Sequence, residues 1–165
     1  MRFPLLLCVL LAFGCAASLQ EQLARLGPMR AEEPITPEDT LIGLVLAQAA
    51  LHGTVDFHPR HQVVVENRGN RLTPHAIPRS DSLTFFVLDT AQIQHLADRA
   101  GDFSYLRVDV PRIAGDTAHL GIGSSRAFRR RSRPALFLGG GACSLTAVRR
   151  AGTWEFIGHA SCVIG

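Results

Sequence analysis

The sequence contains no lysine, few cysteines and only one long apolar run. All 17 of its basic residues are arginine, which excludes lysine-based Schiff-base chemistry. Four cysteines in 165 residues are too few for a disulfide-dense miniprotein. After the first twenty residues, no stretch is apolar over the length that a membrane-spanning helix needs. We therefore exclude a polytopic membrane protein and expect no transmembrane domain.

Strong charge and nucleotide-binding motifs are also missing. The formal net charge of +3 is far below that of a strongly cationic nucleic-acid-binding protein, which argues against nucleic acid as a partner. The run Gly139-Gly140-Gly141 lacks the Gly-Lys-Ser/Thr ending of a phosphate-binding loop, and it precedes a predicted strand rather than a helix. We expect no cofactor and no metal.

The N-terminus has the organisation of an export signal. Arg2 is followed by an apolar run over Phe3–Phe13 and by small residues from Gly14 to Ser18. A short cationic start, an apolar run and a small-residue site are typical of signal peptides. This pattern predicts a signal peptide over residues 1–17 and an exported protein that is periplasmic, secreted or anchored to a membrane as a lipoprotein.

Two ways of processing this signal stay open. Cleavage after Ala17 would place Cys15 and Ala17 at the two small-residue recognition positions of the signal. Alternatively, Leu11–Cys15 resembles the lipobox of bacterial lipoproteins, in which the cysteine becomes the first, lipid-bearing residue of the mature chain. Cys15 would then be lipidated, and a lipidated terminus anchors a protein without spanning the membrane.

Two cysteines remain after processing, in a compartment that permits disulfides. Cys143 and Cys162 share a face of the predicted terminal hairpin, but a regular register places them diagonally, about 7–8 Å apart. A disulfide needs a closer approach, which a bulge at Gly139–Gly141 or at Gly158 would provide. The alternative is two buried thiols.

The rest of the chain divides into a short segment and one domain. We expect residues 18–35 to be a tether or peripheral segment, and residues 36–165 to form a single α+β domain. The first helix of the domain starts at Thr36, which is followed by proline and two acidic residues, and ends at Gly53. Because this helix is apolar nearly all round, we expect it to be largely buried.

Two strands and a second helix are predicted next. Thr54–Glu66 alternates between apolar and polar residues and contains Pro59, which predicts a half-buried strand at an edge or with a bulge. Leu83–Leu88 predicts a short apolar strand. Asp89, with glutamine at the capping-box position three residues later, starts a helix that ends at Gly101.

The C-terminal part predicts a four-strand antiparallel meander. Its first hairpin joins Phe103–Val110 to Thr117–Gly123, and its second joins Leu136–Arg149 to Thr153–Ile164 through a turn at Ala151-Gly152. The fold class is therefore α+β, with one or two helices packed on a curved antiparallel sheet. One face of the meander is expected to be core and the other to be polar and solvated.

A loop between the two hairpins concentrates positive charge. Its arginines are Arg126, Arg129, Arg130, Arg131 and Arg133. Their guanidinium groups would attract phosphate, acidic lipid headgroups or acidic glycans, so binding to an anionic surface or ligand is one candidate function. A solvated loop is the alternative.

Three residues on the polar face of the sheet are weak candidates for catalysis. They are Asp109, His119 and His159. Asp109 and His119 lie on adjacent strands, and a carboxylate that orients an imidazole is general-base geometry. A polar outer face explains them equally well. The densest set of metal-ligand residue types is His52, Asp56, His58 and His61. On a strand His58 and His61 point to opposite faces, so they cannot bind one metal ion together unless Pro59 interrupts the strand, and we do not expect a metal site there.

Four short segments carry a family resemblance. They are Ala97–Asp102, Tyr105-Leu106, Ile113–Ala118 and Gly152–Phe156. Through them the chain from Asp89 onward resembles the C-terminal part of small exported bacterial proteins of uncharacterised function. The terminal sheet also resembles NTF2-like (cystatin-like) α+β folds, in which a curved sheet wraps a helix. The resemblance implies a fold but no active-site residues.

These observations favour a non-catalytic protein that is exported or lipid-anchored and that binds a ligand or serves the envelope structurally. The rival is a small enzyme, a hydrolase or isomerase, with its site in the concavity of the sheet. An enzyme requires a pocket in which Asp109, His119 or His159 lie within hydrogen-bond reach of one another. The partner itself stays unknown.

Overall fold

Two helices and seven strands form the parts of the chain that the computed structural model describes, which are residues 35–52, 61–132 and 140–164. The helices are α1 (Pro37–His52) and α2 (Thr90–Ala100). The strands are β1 (Gln62–Glu66), β2 (Thr84–Leu88), β3 (Phe103–Val108), β4 (Arg112–Ala114), β5 (Thr117–Ala127), β6 (Gly141–Arg150) and β7 (Thr153–Ile164). Short 3₁₀ turns cover Pro74–Ala76 and Arg130–Ser132.

The start of α1 is fixed by a reciprocal cap, as the sequence predicts. The hydroxyl of Thr36 accepts a hydrogen bond from the backbone N–H of Asp39 (3.1 Å), and the N–H of Thr36 donates to the Asp39 carboxylate (2.9 Å). That buried carboxylate also accepts a hydrogen bond from the hydroxyl of Thr73, in the loop after β1. Asp39 therefore joins the first turn of α1 to a distant loop.

The pKa of Asp39 reflects this environment. Burial by itself opposes ionisation of the carboxyl group. The hydrogen bonds from Thr73 and Thr36, together with the nearby His75, outweigh burial and lower the pKa below its ordinary value. The ionised carboxylate is therefore the form that the fold stabilises.

All seven strands belong to one mixed sheet with the order β2-β1-β3-β5-β6-β7, and β4 pairs with the start of β5. The α+β class, the two helices and the C-terminal meander agree with the prediction. The prediction of an antiparallel sheet is wrong for β2, β1 and β3, which run parallel. The reason is that two connections, residues 67–83 between β1 and β2 and α2 between β2 and β3, each carry the chain back along the sheet, so each next strand runs in the same direction.

The position of β1 also differs from the prediction. It lies between β2 and β3 rather than at an edge, and Val63, Val64 and Val65 are all buried. A parallel strand with helices on both sides needs a continuous apolar run, which these valines supply. Residues 54–60, including Pro59, lie outside the described residues.

The second helix and the last turn agree with the sequence. Asp89 caps α2 and forms a capping box with Gln92, and Gly101 ends the helix with a φ of 106°. Ala151 and Gly152 both have positive φ, which is the backbone of a type I′ turn between β6 and β7.

The two helices pack on opposite faces of the sheet, but they cover different widths. The α1 cluster reaches across the sheet, from Val63 and Val65 on β1 to Trp154 on β7. The α2 cluster lies on β1, β2, β3 and Ala127 at the end of β5, and contains no residue of β6 or β7. The α2 face of β6, β7 and the first part of β5 is therefore left uncovered by the described helices.

Replacing Asp39 tests the buried cap. Asp39→Asn is expected to lower the free energy of unfolding at neutral pH by about 2 kcal/mol, because a charged hydrogen-bond acceptor is lost. Since the folded-state pKa is lowered, the carboxylate stabilises the fold above its unfolded pKa of 3.8, and this contribution disappears as the pH falls through the folded value.

Urea unfolding at several pH values checks this expectation. The difference between wild type and variant should be constant near neutral pH and shrink below about pH 4. Glu38→Gln, an exposed acid in the same helical turn, is the matched control and should change little. Equal losses in the two variants would contradict the role of Asp39.

Candidate functional site

The uncovered face of the sheet carries an open groove of about 690 Å³. It is formed by β5, β6 and β7, by the chain between β3 and β4, and by the loop after β1. Its polar lining consists of Arg71, Asp109, Arg112, His119, Ser144, Thr146, His159 and Ser161. A second hollow of about 440 Å³ shares Asp109, Gly121 and Ser144 with it, so the two adjoin at these residues.

Strand register explains why these side chains meet. His119 pairs with Thr146, Gly121 pairs with Ser144, and Ser144 pairs with Ser161. Directly paired residues point to the same side of a sheet, so these residues form two adjacent rows on one face of β5, β6 and β7. Both rows lie on the α2 side of the sheet, beyond the reach of α2.

The three predicted catalytic candidates line the same groove. Asp109, His119 and His159 all contribute to it. However, none of the three hydrogen-bonds to another within the described part of the chain. The imidazole Nδ1 of His119 lies 3.3 Å from the hydroxyl of Thr146 instead. The geometry brings the residues together without forming the carboxylate–imidazole pair of a general base.

The side chain of Asp109 lies against Gly121 of β5, on the sheet face that forms the groove. Its backbone N–H donates to the carbonyl of Gly121 (2.9 Å), which continues the pairing of β3 and β5 by one residue. A Cβ at position 121 would collide with the carboxylate oxygen Oδ2 and come within 3.1 Å of Cγ. Glycine at 121 is therefore what lets the acid occupy this position. An isolated glycine inside a strand pattern is a signal of such close approach.

Two arginines of the groove were not predicted from the sequence. Arg71 comes from the loop after β1, and Arg112 from the first position of β4. Neither guanidinium group forms an ion pair or hydrogen bond with the described residues, and the same holds for the carboxylate of Asp109. The sequence contains no motif around these arginines, because only the parallel placement of β1 beside β3 brings Arg71 to this face.

The outer wall of the groove depends on a disulfide and a bulge. Cys143 and Cys162 are bonded, with their Cα atoms 4.0 Å apart. The hairpin register holds from the turn to Ile157 and then shifts, so that Cys143 and Cys162 become direct partners. Gly158, with a φ of 72°, lies at the start of this shift. The predicted disulfide and the predicted bulge at Gly158 both agree with this structure.

Besides the disulfide, pairing with residues 141–144 of β6 holds the end of β7 in place. All side chains from Gly158 to Ile164 are exposed, so burial contributes little to their position. His159 and Ser161 line the groove, and Val163 lines the adjoining hollow. The disulfide at Cys162 therefore fixes the wall that these residues form.

The arginine-rich loop is docked against α2 where it begins. The backbone N–H of Arg130 donates to the carboxylate of Asp98 (2.9 Å), and the guanidinium of Arg130 forms an ion pair with it (3.4 Å). The hydrogen bond from the Arg130 backbone is the largest of the effects that lower the pKa of Asp98. The backbone N–H of Arg129 donates to Asp102 (3.0 Å), and its Nε is buried without a partner among the described residues.

The predicted loop position is wrong for Arg126, because β5 extends to Ala127 and includes it. The surroundings of Arg126, Arg131 and Arg133 differ. The guanidinium of Arg126 lies 5.5 Å from the centre of the Phe128 ring, within cation–π range. Arg131 is exposed. Arg133 lies outside the described residues. The described loop therefore uses part of its positive charge in contacts with its own chain.

Several predicted features fall outside the described residues. They are the signal peptide over residues 1–17 with Cys15, most of the 18–35 segment, Asp56, His58 and the side chain of His52. His61 is described and exposed. Within residues 35–52, 61–132 and 140–164, no three His, Cys, Asp or Glu side chains are grouped so that they could hold a metal ion. Neither helix in those ranges is long and apolar enough to cross a membrane.

Removing the disulfide tests what holds β7. In Cys143→Ala/Cys162→Ala, the free energy of unfolding is expected to fall by about 3 kcal/mol, because the disulfide no longer restricts a loop of this size in the unfolded chain. Hydrogen exchange measured by mass spectrometry should accelerate in residues 159–164 and stay unchanged in β3 and β5. Reductant should loosen the same segment of the wild type and have no effect on the variant. Unchanged exchange in that segment would contradict the role of the disulfide.

A double-mutant cycle tests the contact between Asp109 and Gly121. Gly121→Ala is expected to destabilise the protein by at most about 1 kcal/mol, because the new methyl group displaces a carboxylate at the end of an exposed, flexible side chain. In an Asp109→Ala background the same change should cost little, since only the Cβ of residue 109 remains, at 3.4 Å. Thermal unfolding of the four proteins measures the coupling, and equal costs in both backgrounds would disprove the contact.

Comparison with known proteins finds no match for this chain. No protein-family model, no curated protein and no solved structure matches the chain. The resemblance to NTF2-like folds and to exported bacterial proteins therefore stays a prediction, and the chemistry of the groove is the basis for inferring its function.

Proposed function

We propose that the protein is an exported binding protein, and that the groove on the open sheet face holds a small polar ligand with an anionic group. The observation that carries this proposal is the convergence of Arg71 and Arg112, both without an internal partner in the described chain, on one groove rich in hydroxyl groups. A guanidinium group presents paired N–H donors that match a carboxylate or a phosphate. The hydroxyls of Ser144 and Ser161 add further hydrogen bonds.

The same geometry favours binding over catalysis. The imidazole of His119 contacts Thr146 rather than Asp109. The groove is also open to solvent, whereas acid–base and nucleophilic catalysis gain from a site that excludes water. A hydrolase or isomerase remains the rival proposal, and turnover of a bound ligand would establish it.

The groove is also a better candidate for anion binding than the arginine-rich loop. Arg130 is neutralised by Asp98, and Arg126 lies over Phe128. Arg71 and Arg112 keep their charges available beside hydroxyl groups. Experiment therefore has to distinguish attachment of the loop to an anionic surface from binding of a ligand in the groove.

Export is proposed from the signal-like residues 1–17. The disulfide between Cys143 and Cys162 supports it, because such bonds persist in oxidising compartments. The mature protein starts at a lipidated Cys15 or near Ser18. In the first case it is an anchored envelope protein, and in the second it is soluble in the periplasm or outside the cell.

Intact-mass spectrometry of the mature protein from a bacterial host decides between these forms. A diacylglycerol-type increment on a chain that begins at Cys15 indicates a lipoprotein, and an unmodified chain that begins near Ser18 indicates ordinary cleavage. Cys143 and Cys162 should resist alkylation until reductant is added. A chain that retains Met1 and alkylates without reduction would disprove export.

A ligand panel tests the groove. Small carboxylates, sugar phosphates and neutral polyols are titrated into the mature protein, with chemical shifts of groove amides as the readout. We expect an anionic compound to bind, and Arg112→Gln to weaken it about tenfold through the loss of a charged hydrogen bond. Arg150→Gln, whose arginine pairs with Glu155 at the far end of β6, is the matched control.

The outcomes of this titration separate the proposals. Binding that Arg131→Gln weakens and Arg112→Gln leaves intact would assign the ligand to the arginine-rich loop. No anionic compound shifting the groove amides would overturn the proposed function.

A further inference from the structure

The carboxylate of Asp109 is not explained by anion binding. It lies at the centre of the open face and lines both hollows, beside Gly121 and Ser144. Within the described chain it has no ion pair and no side-chain hydrogen bond. An anionic ligand that covered the groove would lie beside this negative charge and be repelled by it.

The neighbouring cations do not neutralise Asp109. Arg107, which reaches the adjoining hollow, is held by the buried carboxylate of Glu66 (3.1 Å). That carboxylate also accepts a hydrogen bond from the hydroxyl of Thr90 (2.8 Å). Arg107 and Glu66 are therefore paired with each other and not with Asp109. Arg71 and Arg112 form no ion pair with Asp109.

A ligand that covers these groups has to compensate both signs of charge. Covering an unpaired carboxylate or guanidinium with a neutral surface removes its water and returns nothing, which is costly. An ammonium group on Asp109 and a carboxylate on Arg71 and Arg112 satisfy both requirements in one molecule. The absence of a side chain at Gly121 lets the Asp109 carboxylate lie against the sheet, where the ammonium group would meet it.

We infer that the ligand of the groove is a small zwitterion with a primary ammonium group and a carboxylate, such as an amino acid or a short peptide with free termini. Asp109 binds the ammonium group, and Arg71 and Arg112 bind the carboxylate. This inference rests on the proposed function of the groove and adds the second charged subsite to it.

Dialanine and its two blocked forms test the inference. The mature protein is titrated by calorimetry with dialanine, N-acetyl-dialanine and dialanine amide, and groove amides are followed by NMR. Dialanine is expected to bind most tightly, and each blocked form about tenfold more weakly, because one charged contact is removed.

Variants assign the two charges to their subsites. Asp109→Asn should weaken dialanine about tenfold and should not weaken N-acetyl-dialanine, since that anion has no ammonium group to lose and is no longer repelled by Asp109. Arg112→Gln should weaken dialanine and should not weaken the amide, which has no carboxylate to lose. Asp81→Asn, an exposed acid on the loop before β2, is the matched control for Asp109. Gly121→Ala, which displaces the carboxylate, gives an independent readout if Asp109→Asn unfolds.

The outcomes distinguish this inference from the proposed function. N-acetyl-dialanine binding as tightly as dialanine, or Asp109→Asn affecting both equally, overturns the zwitterion. The same holds if none of the three compounds binds while a simple carboxylate or sugar phosphate shifts the groove amides; the proposed function then stands. If no compound of either panel shifts those amides, both are wrong.

Discussion

The packing of α1 across the sheet is the contact on which the rest of the structure depends. Its buried face, built around Leu41, Val45 and Leu46, joins one cluster that runs from β1 to Trp154 on β7. On that side α1 packs together with the loop residues Leu72 and Ala76, whereas on the other side the shorter α2 covers the parallel strands and the end of β5. The uncovered remainder of that second side is the groove. The site is thus a consequence of unequal helix coverage rather than of a separate structural element.

Local signals predicted the parts of this fold that depend on local energetics. The caps at Thr36 and Asp89, the turn at Ala151-Gly152 and the bulge at Gly158 each depend on a few adjacent residues, and each agrees with the structure. The direction and position of β1 depend on the long connections after β1 and after β2, so alternation within the strand could not reveal them.

The candidate site was likewise predicted only where regular strand alternation determines which residues share a face. Asp109 and His119 were predicted to share a face because adjacent strands alternate regularly, and His159 was assigned to the polar side of the sheet. Arg71 was missed because it enters from a loop whose path follows from the parallel pairing of β1 and β3. Hydrogen bonding within the site was also beyond sequence patterns, since the preference of His119 for Thr146 is decided by a register specific to this sheet.

The Gly158 bulge has a consequence for the solubility of the protein. β7 is an edge strand of twelve residues that ends in the exposed side chains of Val163 and Ile164, which is the kind of edge to which a strand of another molecule could add. The bulge breaks the even spacing of N–H and C=O groups along its outer side, so an incoming strand cannot stay in register over its full length. The irregularity that admits the disulfide thereby also protects the sheet from growing into an aggregate.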